Sequence, residues 1–134
     1  MKSILIDAQS QTLSEINLNK GNSLKETYEA IGNDCSLVQT ACYLSNREVI
    51  VVDEEGYFKE GLRGFYVKDV GFFYGNGVVW NCDADGEMTD CEISIAELQS
   101  KITWVDEKTS SHIREKVLDE PTMTFHVLDS EEEK

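Results

Sequence analysis

The chain has 134 residues, the length of one ordinary domain, with 12 Lys+Arg against 26 Asp+Glu and a formal net charge of −14. That balance excludes direct nucleic-acid binding and docking on an anionic membrane, because both need clustered Lys and Arg to neutralise phosphates. With 40% hydrophobic residues, the chain can bury an ordinary core without a disulfide or metal staple.

Met1 to Asp7 reads as a short buried strand, and Thr12 to Leu18 alternates apolar and polar residues in part. The two make an opening β-hairpin. Ser23-Leu24-Lys25-Glu26 has the spacing of a capping box, and Leu24, Tyr28 and Ile31 follow on one apolar face. These residues predict a helix over 24–31, stopped by Gly32-Asn33. Strands follow over 35–44 and 48–53, joined by Ser45-Asn46-Arg47. The β-branched run Val49-Ile50-Val51-Val52 belongs inside a sheet.

Residues 57–77 are rich in glycine and aromatic rings and read as short strands or irregular chain. Val78 to Cys82 is a strand, Asp83-Ala84-Asp85-Gly86 turns it, and Thr89 to Ile93 returns as a hairpin partner. A second capping box, Ser94-Ile95-Ala96-Glu97, opens a short helix to about Lys101, and Ile102 to Val105 is a last core strand. Beyond Asp106, Thr109-Ser110-Ser111 caps a helix bearing Ile113, Val117 and Leu118, which Pro121 stops. Met123 to Val127 alternates like a strand, and the acidic tail 129–134 is expected to be disordered.

The expected fold is therefore α+β: a mostly antiparallel sheet with two short helices packed on it. It forms a single domain over 1–105, with a C-terminal helical and strand extension over 106–128 packed on it.

Few residues carry a signal for chemistry. No Gly-x-Ser-x-Gly, Walker-type or dinucleotide pattern occurs, so no catalytic residue, metal ligand or cofactor is assigned. Asp83-Ala84-Asp85-Gly86-Glu87 fails as a calcium loop, since its glycine comes fourth where the EF-hand has it sixth. The opening apolar stretch is cut off by Asp7 and is no secretory signal, and no run is long enough to span a bilayer. A cytoplasmic, reducing setting follows, with Cys35, Cys42, Cys82 and Cys91 as thiols. Should the hairpin loop span 85–88, Cys82 and Cys91 would face each other, as buried thiols, as half of a metal site or as a reversible disulfide. Cys35 and Cys42, seven apart, would point to opposite faces of one strand. His112 and His126 lie in the extension, away from any core thiol.

Two surfaces remain as candidates. Asp83, Asp85, Glu87, Asp90 and Glu92, with Glu97, fall in fifteen residues containing no Lys or Arg. They would suit a basic, nucleic-acid-binding protein partner. Alternatively Arg63, Tyr74 and Trp80 would line an aromatic pocket for a nucleotide-like ligand. An enzyme using Cys or Asp chemistry is the third reading. Exposed edge strands would support a homodimer.

The order of pieces also carries a resemblance. An opening hairpin leads to a helix ending in Ile31-Gly32, then Val49-Ile50-Val51-Val52-Asp53-Glu54-Glu55-Gly56, Gly75-Asn76-Gly77-Val78-Val79, Asp85-Gly86-Glu87 and a short capped helix. Over residues 1–105 this resembles a family of small uncharacterised domains of phages, plasmids and bacterial mobile elements. The resemblance implies a context, that of small acidic proteins which bind and block a host system, and no catalytic residues.

Overall fold

A computed structural model describes residues 1–119. The expected strand over 123–127, the stop at Pro121 and the acidic tail lie outside the described residues. The elements run β1 (Lys2–Asp7), β2 (Thr12–Asn17), α1 (Ser23–Ile31), β3 (Val38–Tyr43) and β4 (Glu48–Asp53). A 3-10 turn (Gly56–Phe58) leads to β5 (Gly64–Val67), β6 (Gly71–Tyr74), β7 (Gly77–Cys82) and β8 (Met88–Thr89). Then come α2 (Ile95–Gln99), β9 (Ile102–Val105) and α3 (Glu107–Asp119). The fold is α+β, and every strand pairing is antiparallel.

The strands divide between two sheets. The larger has the order β2-β1-β7-β4-β3, with β8 paired to the far end of β7, and the smaller has the order β6-β5-β9. Side chains alternate across a strand, so each inner strand of the larger sheet supplies two cores. Ile4, Ile6, Ile50, Val52 and Val79 face the smaller sheet, where they meet Phe65, Val67 and Ile102 and also Leu98 of α2. Leu5, Val49, Val51 and Val78 face the other way and pack with Ile31 and Ala30 of α1. This explains the unbroken Val49–Val52 run, because a strand covered on both faces has no solvent side to make polar. It also explains the imperfect alternation of β2. Leu13 packs into the first core and Ile16 into the second.

In the region 57–77, close packing requires the glycine at position 64. A Cβ on Gly64 would lie 2.4 Å from the Phe73 carbonyl oxygen and 2.4 Å from the Phe72 ring. No residue with a side chain fits between β5 and β6 there.

Several helix starts differ from expectation. α1 begins at Ser23 after Asn22, so Ser23 is inside the helix and caps nothing. Glu26 reaches back instead to Asn19, accepting from its backbone nitrogen and its Nδ2. The second capping box is present in full, with Ser94 accepting from the Glu97 amide and Glu97 accepting from the Ser94 amide. α3 starts earlier than expected because Asp106 Oδ1 accepts from the Thr109 amide at 2.7 Å. Ser110, expected in the cap, is fully buried, and its hydroxyl accepts from Gly64 of the smaller sheet.

Candidate functional site

Strand β7 runs through the middle of the larger sheet, and a polar feature lies at each of its ends. At the far end is the acidic turn. Asp83 Oδ1 accepts from the amides of Asp85 and Glu87, both at 2.9 Å, and the Asp83 amide donates to the Glu87 carbonyl at 2.8 Å. Gly86 takes a φ of 83°, which a glycine adopts without strain. The chain then returns as β8, where Asn81 pairs with Thr89 and Cys82 with Met88. Cys91 therefore lies beyond the ladder and does not face Cys82, contrary to the expected register. It is bonded instead to β1, its amide donating to the Lys2 carbonyl at 2.9 Å.

Two more carboxylates pin this loop to the sheet. Asp90 Oδ1 accepts from the Lys2 amide at 2.7 Å. The buried Glu48 Oε2 accepts from the amides of Glu92 and Ile93. The acidic residues thus have two kinds of work. Asp83 spends an oxygen on the loop's own backbone, and Asp90 spends one on the backbone of β1. Asp85, Glu87 and Glu92 are exposed and bond no described backbone group, and Glu87 lies 4.0 Å from Lys20 in a solvated pair.

At the near end, the chain enters β7 through Gly75-Asn76. Asn76 Oδ1 accepts from the Ala8 amide at 2.8 Å, and its Nδ2 donates to the Ile31 carbonyl at 3.1 Å. One amide therefore ties the β1–β2 turn to the end of α1. Beneath it opens a cleft of about 310 Å³, lined by Asp7, Gln9, the last residues of α1, Leu62, Arg63 and the Gly75-Asn76 turn.

The three residues expected to form an aromatic pocket are not brought together. Arg63 lines the cleft, and Tyr74 and Trp80 do not. Tyr74 is buried, accepts from the Leu62 amide through its hydroxyl at 3.0 Å and stacks on Tyr57 with ring centroids 5.6 Å apart. Trp80 packs on the α1 side of the sheet and donates its Nε1–H to Thr27 Oγ1 at 3.1 Å. Both rings are committed to the interior. Asp7, Gln9 and Asn76 are the cleft residues that sequence reasoning did not single out. Asn76, set between two glycines, was the one available signal.

Cys35, Cys42 and Cys91 are not primed for nucleophilic work. Burial pushes Cys42 up to about 11. Burial and then the Asp53 carboxylate raise Cys35, and burial and then Glu48 raise Cys91. A raised pKa keeps a thiol protonated at neutral pH and so withholds the reactive thiolate. Among the described residues, no group of His, Cys, Asp and Glu is placed to hold a metal ion, and no helix is long and apolar enough to cross a membrane.

No known family model, curated protein or solved structure matches this chain.

Proposed function

We propose that this protein is a non-catalytic binding protein whose acidic β7–β8 turn engages a basic, nucleic-acid-binding protein. In this reading it acts as an inhibitor or nucleic-acid mimic of mobile-element origin. The observation that carries the reading is the exposure of Asp85, Glu87, Asp90, Glu92 and Glu97 in a stretch containing no Lys or Arg. The turn is held by its own hydrogen bonds, so little ordering entropy would be lost when a partner docks. The net charge of −14 adds a long-range field that speeds the approach of a cationic surface.

The test separates the free acids from those that build the turn. Asp85→Lys, Glu87→Lys and Glu92→Lys are combined, leaving Asp83 and Asp90 in place. Affinity for a captured basic partner is then measured across a range of salt. The reading expects the triple variant to bind at least about tenfold more weakly, with a shallower dependence on salt. Unchanged affinity and an unchanged salt slope would remove the acidic turn as the binding surface.

A further inference from the structure

The cleft at the near end of β7 contains two opposite charges that do not meet. Arg63 is half-buried, and its Nε is shut off from solvent without a hydrogen-bond partner among the described residues. That enclosed nitrogen cannot be reached from the cleft, so a ligand would meet the terminal guanidinium nitrogens, which are in no ion pair with a described residue. Asp7 lines the same cleft. Its Oδ1 accepts from the amides of Gln9 and Ser10, both at 3.1 Å, while no described residue donates to its Oδ2. The described ion pairs are Lys20–Glu87 and Lys59–Asp53, so Arg63 and Asp7 line one space without closing on each other. Asp106 also feels the Arg63 charge, but it lies outside the cleft lining and spends its Oδ1 on Thr109.

The third wall is the end of α1. Gly32, Asn33 and Asp34 take φ values of 74°, 55° and 59°, which swing the chain sharply off the helix axis. That turn leaves the Ala30 carbonyl without a donor among the described residues. The end of a helix also carries the negative pole of its dipole. The cleft thus brings a positive group, a carboxylate and Ala30, whose carbonyl has no described donor, into one lining.

We propose that this cleft binds a small zwitterion, a free α-amino acid, with its carboxylate on Arg63 and its ammonium on Asp7 and the Ala30 carbonyl. Charge matching selects this class. An anion such as a nucleoside phosphate would satisfy Arg63, but it would face Asp7, the helix end and the field of a chain at −14. A simple cation would leave Arg63 unpaired. A zwitterion satisfies both ends and carries no net charge against that field. A guanidinium grips a carboxylate through parallel hydrogen bonds, which fixes the ligand's orientation. A volume of about 310 Å³ is at the lower end of ligand pockets and is enough for an amino acid. The site stands apart from the acidic turn, at the other end of a six-residue strand about 20 Å long.

The experiment is an amide NMR titration of the full chain with the free proteinogenic amino acids. The strongest binder is then compared with its N-acetyl and C-amide forms, each lacking one charge. Saturable shifts are expected at Gly32, Gly75 and Asn76, and each blocked form should bind at least about tenfold more weakly. Arg63→Gln and Asp7→Asn should weaken the free amino acid similarly. Asp7→Asn retains the Oδ1 acceptor for Gln9 and Ser10, so the turn survives. No saturable shift up to about 10 mM ligand, or blocked forms binding as well as free ones, would overturn the proposal. Tighter binding of a nucleoside monophosphate at the same amides would overturn it too. None of these outcomes bears on the acidic turn.

Discussion

Ser110 places its hydroxyl oxygen 2.9 Å from the amide nitrogen of Gly64, and both residues are buried. Gly64 pairs with Tyr74 on one side and Val105 on the other, so this bond joins α3 to the middle strand of the smaller sheet. Helix α3 is therefore docked through a specific polar contact. Ser110→Ala leaves a buried N–H without an acceptor, and the expected loss is about 1–3 kcal/mol in chemical denaturation. A variant as stable as the parent would mean that the helix contributes nothing through this contact.

A second buried polar link ties β4 to the end of α1. Asp53 is 8% exposed and pairs with Lys59, whose Nζ also donates to the Asn33 carbonyl. Lys59→Ala strands a buried carboxylate, and the expected loss is about 3 kcal/mol. The double variant Asp53→Asn, Lys59→Met removes the charge together with its partner and should recover much of that loss. Equal destabilisation in the single and double variants would show that the Lys59 contact to Asn33, and not the ion pair, is what matters.

The Glu26 carboxylate accepts from the Asn19 backbone nitrogen at 2.6 Å and from its Nδ2 at 2.7 Å. These hydrogen bonds hold its pKa below the usual 4.5. The folded value is lower than the unfolded one, so the contribution is complete above the unfolded pKa. It is lost as the pH falls through the folded value. A carbon NMR titration of the Glu26 carboxyl should give a midpoint below 4.5, with the Asn19 amide shifting in step. A midpoint at or above that value would show the contact to be absent in solution.

The sequence made the larger sheet and α1 legible because their strands and helix are long enough to show a period. β1, β4 and β7 are six residues each, and their apolar runs reflect burial on both faces. β5 and β6 are four residues each, too short for alternation to stand out among glycines required by close contact. The two Ser-x-x-Glu patterns read alike, yet only Ser94 caps a helix, because Asn22 starts α1 one residue early and puts Glu26 out of step. The Cys82–Cys91 expectation failed on turn length. Asp83 closes the turn onto Glu87, which sets Met88 opposite Cys82. Of the cleft, the sequence marked only Arg63 as a ligand-binding candidate. The pairing of β1 with β7 brings Asp7 towards Asn76, and the Gly75 amide, donating to the Arg63 carbonyl, brings Arg63 beside them.

The acidic turn allows a sharper separation of charge from structure than the sequence suggested. Asp83 alone organises the turn, since its carboxylate oxygen holds two amides. Asp83→Ala should cost about 1 kcal/mol or somewhat more, as expected for charged hydrogen bonds lost at a partly exposed site. Reversal of Asp85, Glu87 and Glu92 removes no hydrogen bond to a described backbone group and relieves self-repulsion in a chain at −14. Its stability should stay within about 0.5 kcal/mol of the parent or rise. Thermal or urea unfolding of the two variants side by side decides the matter. If the triple reversal destabilised the fold as much as Asp83→Ala, the exposed acids would be structural. Loss of partner binding in that variant could then no longer be assigned to charge.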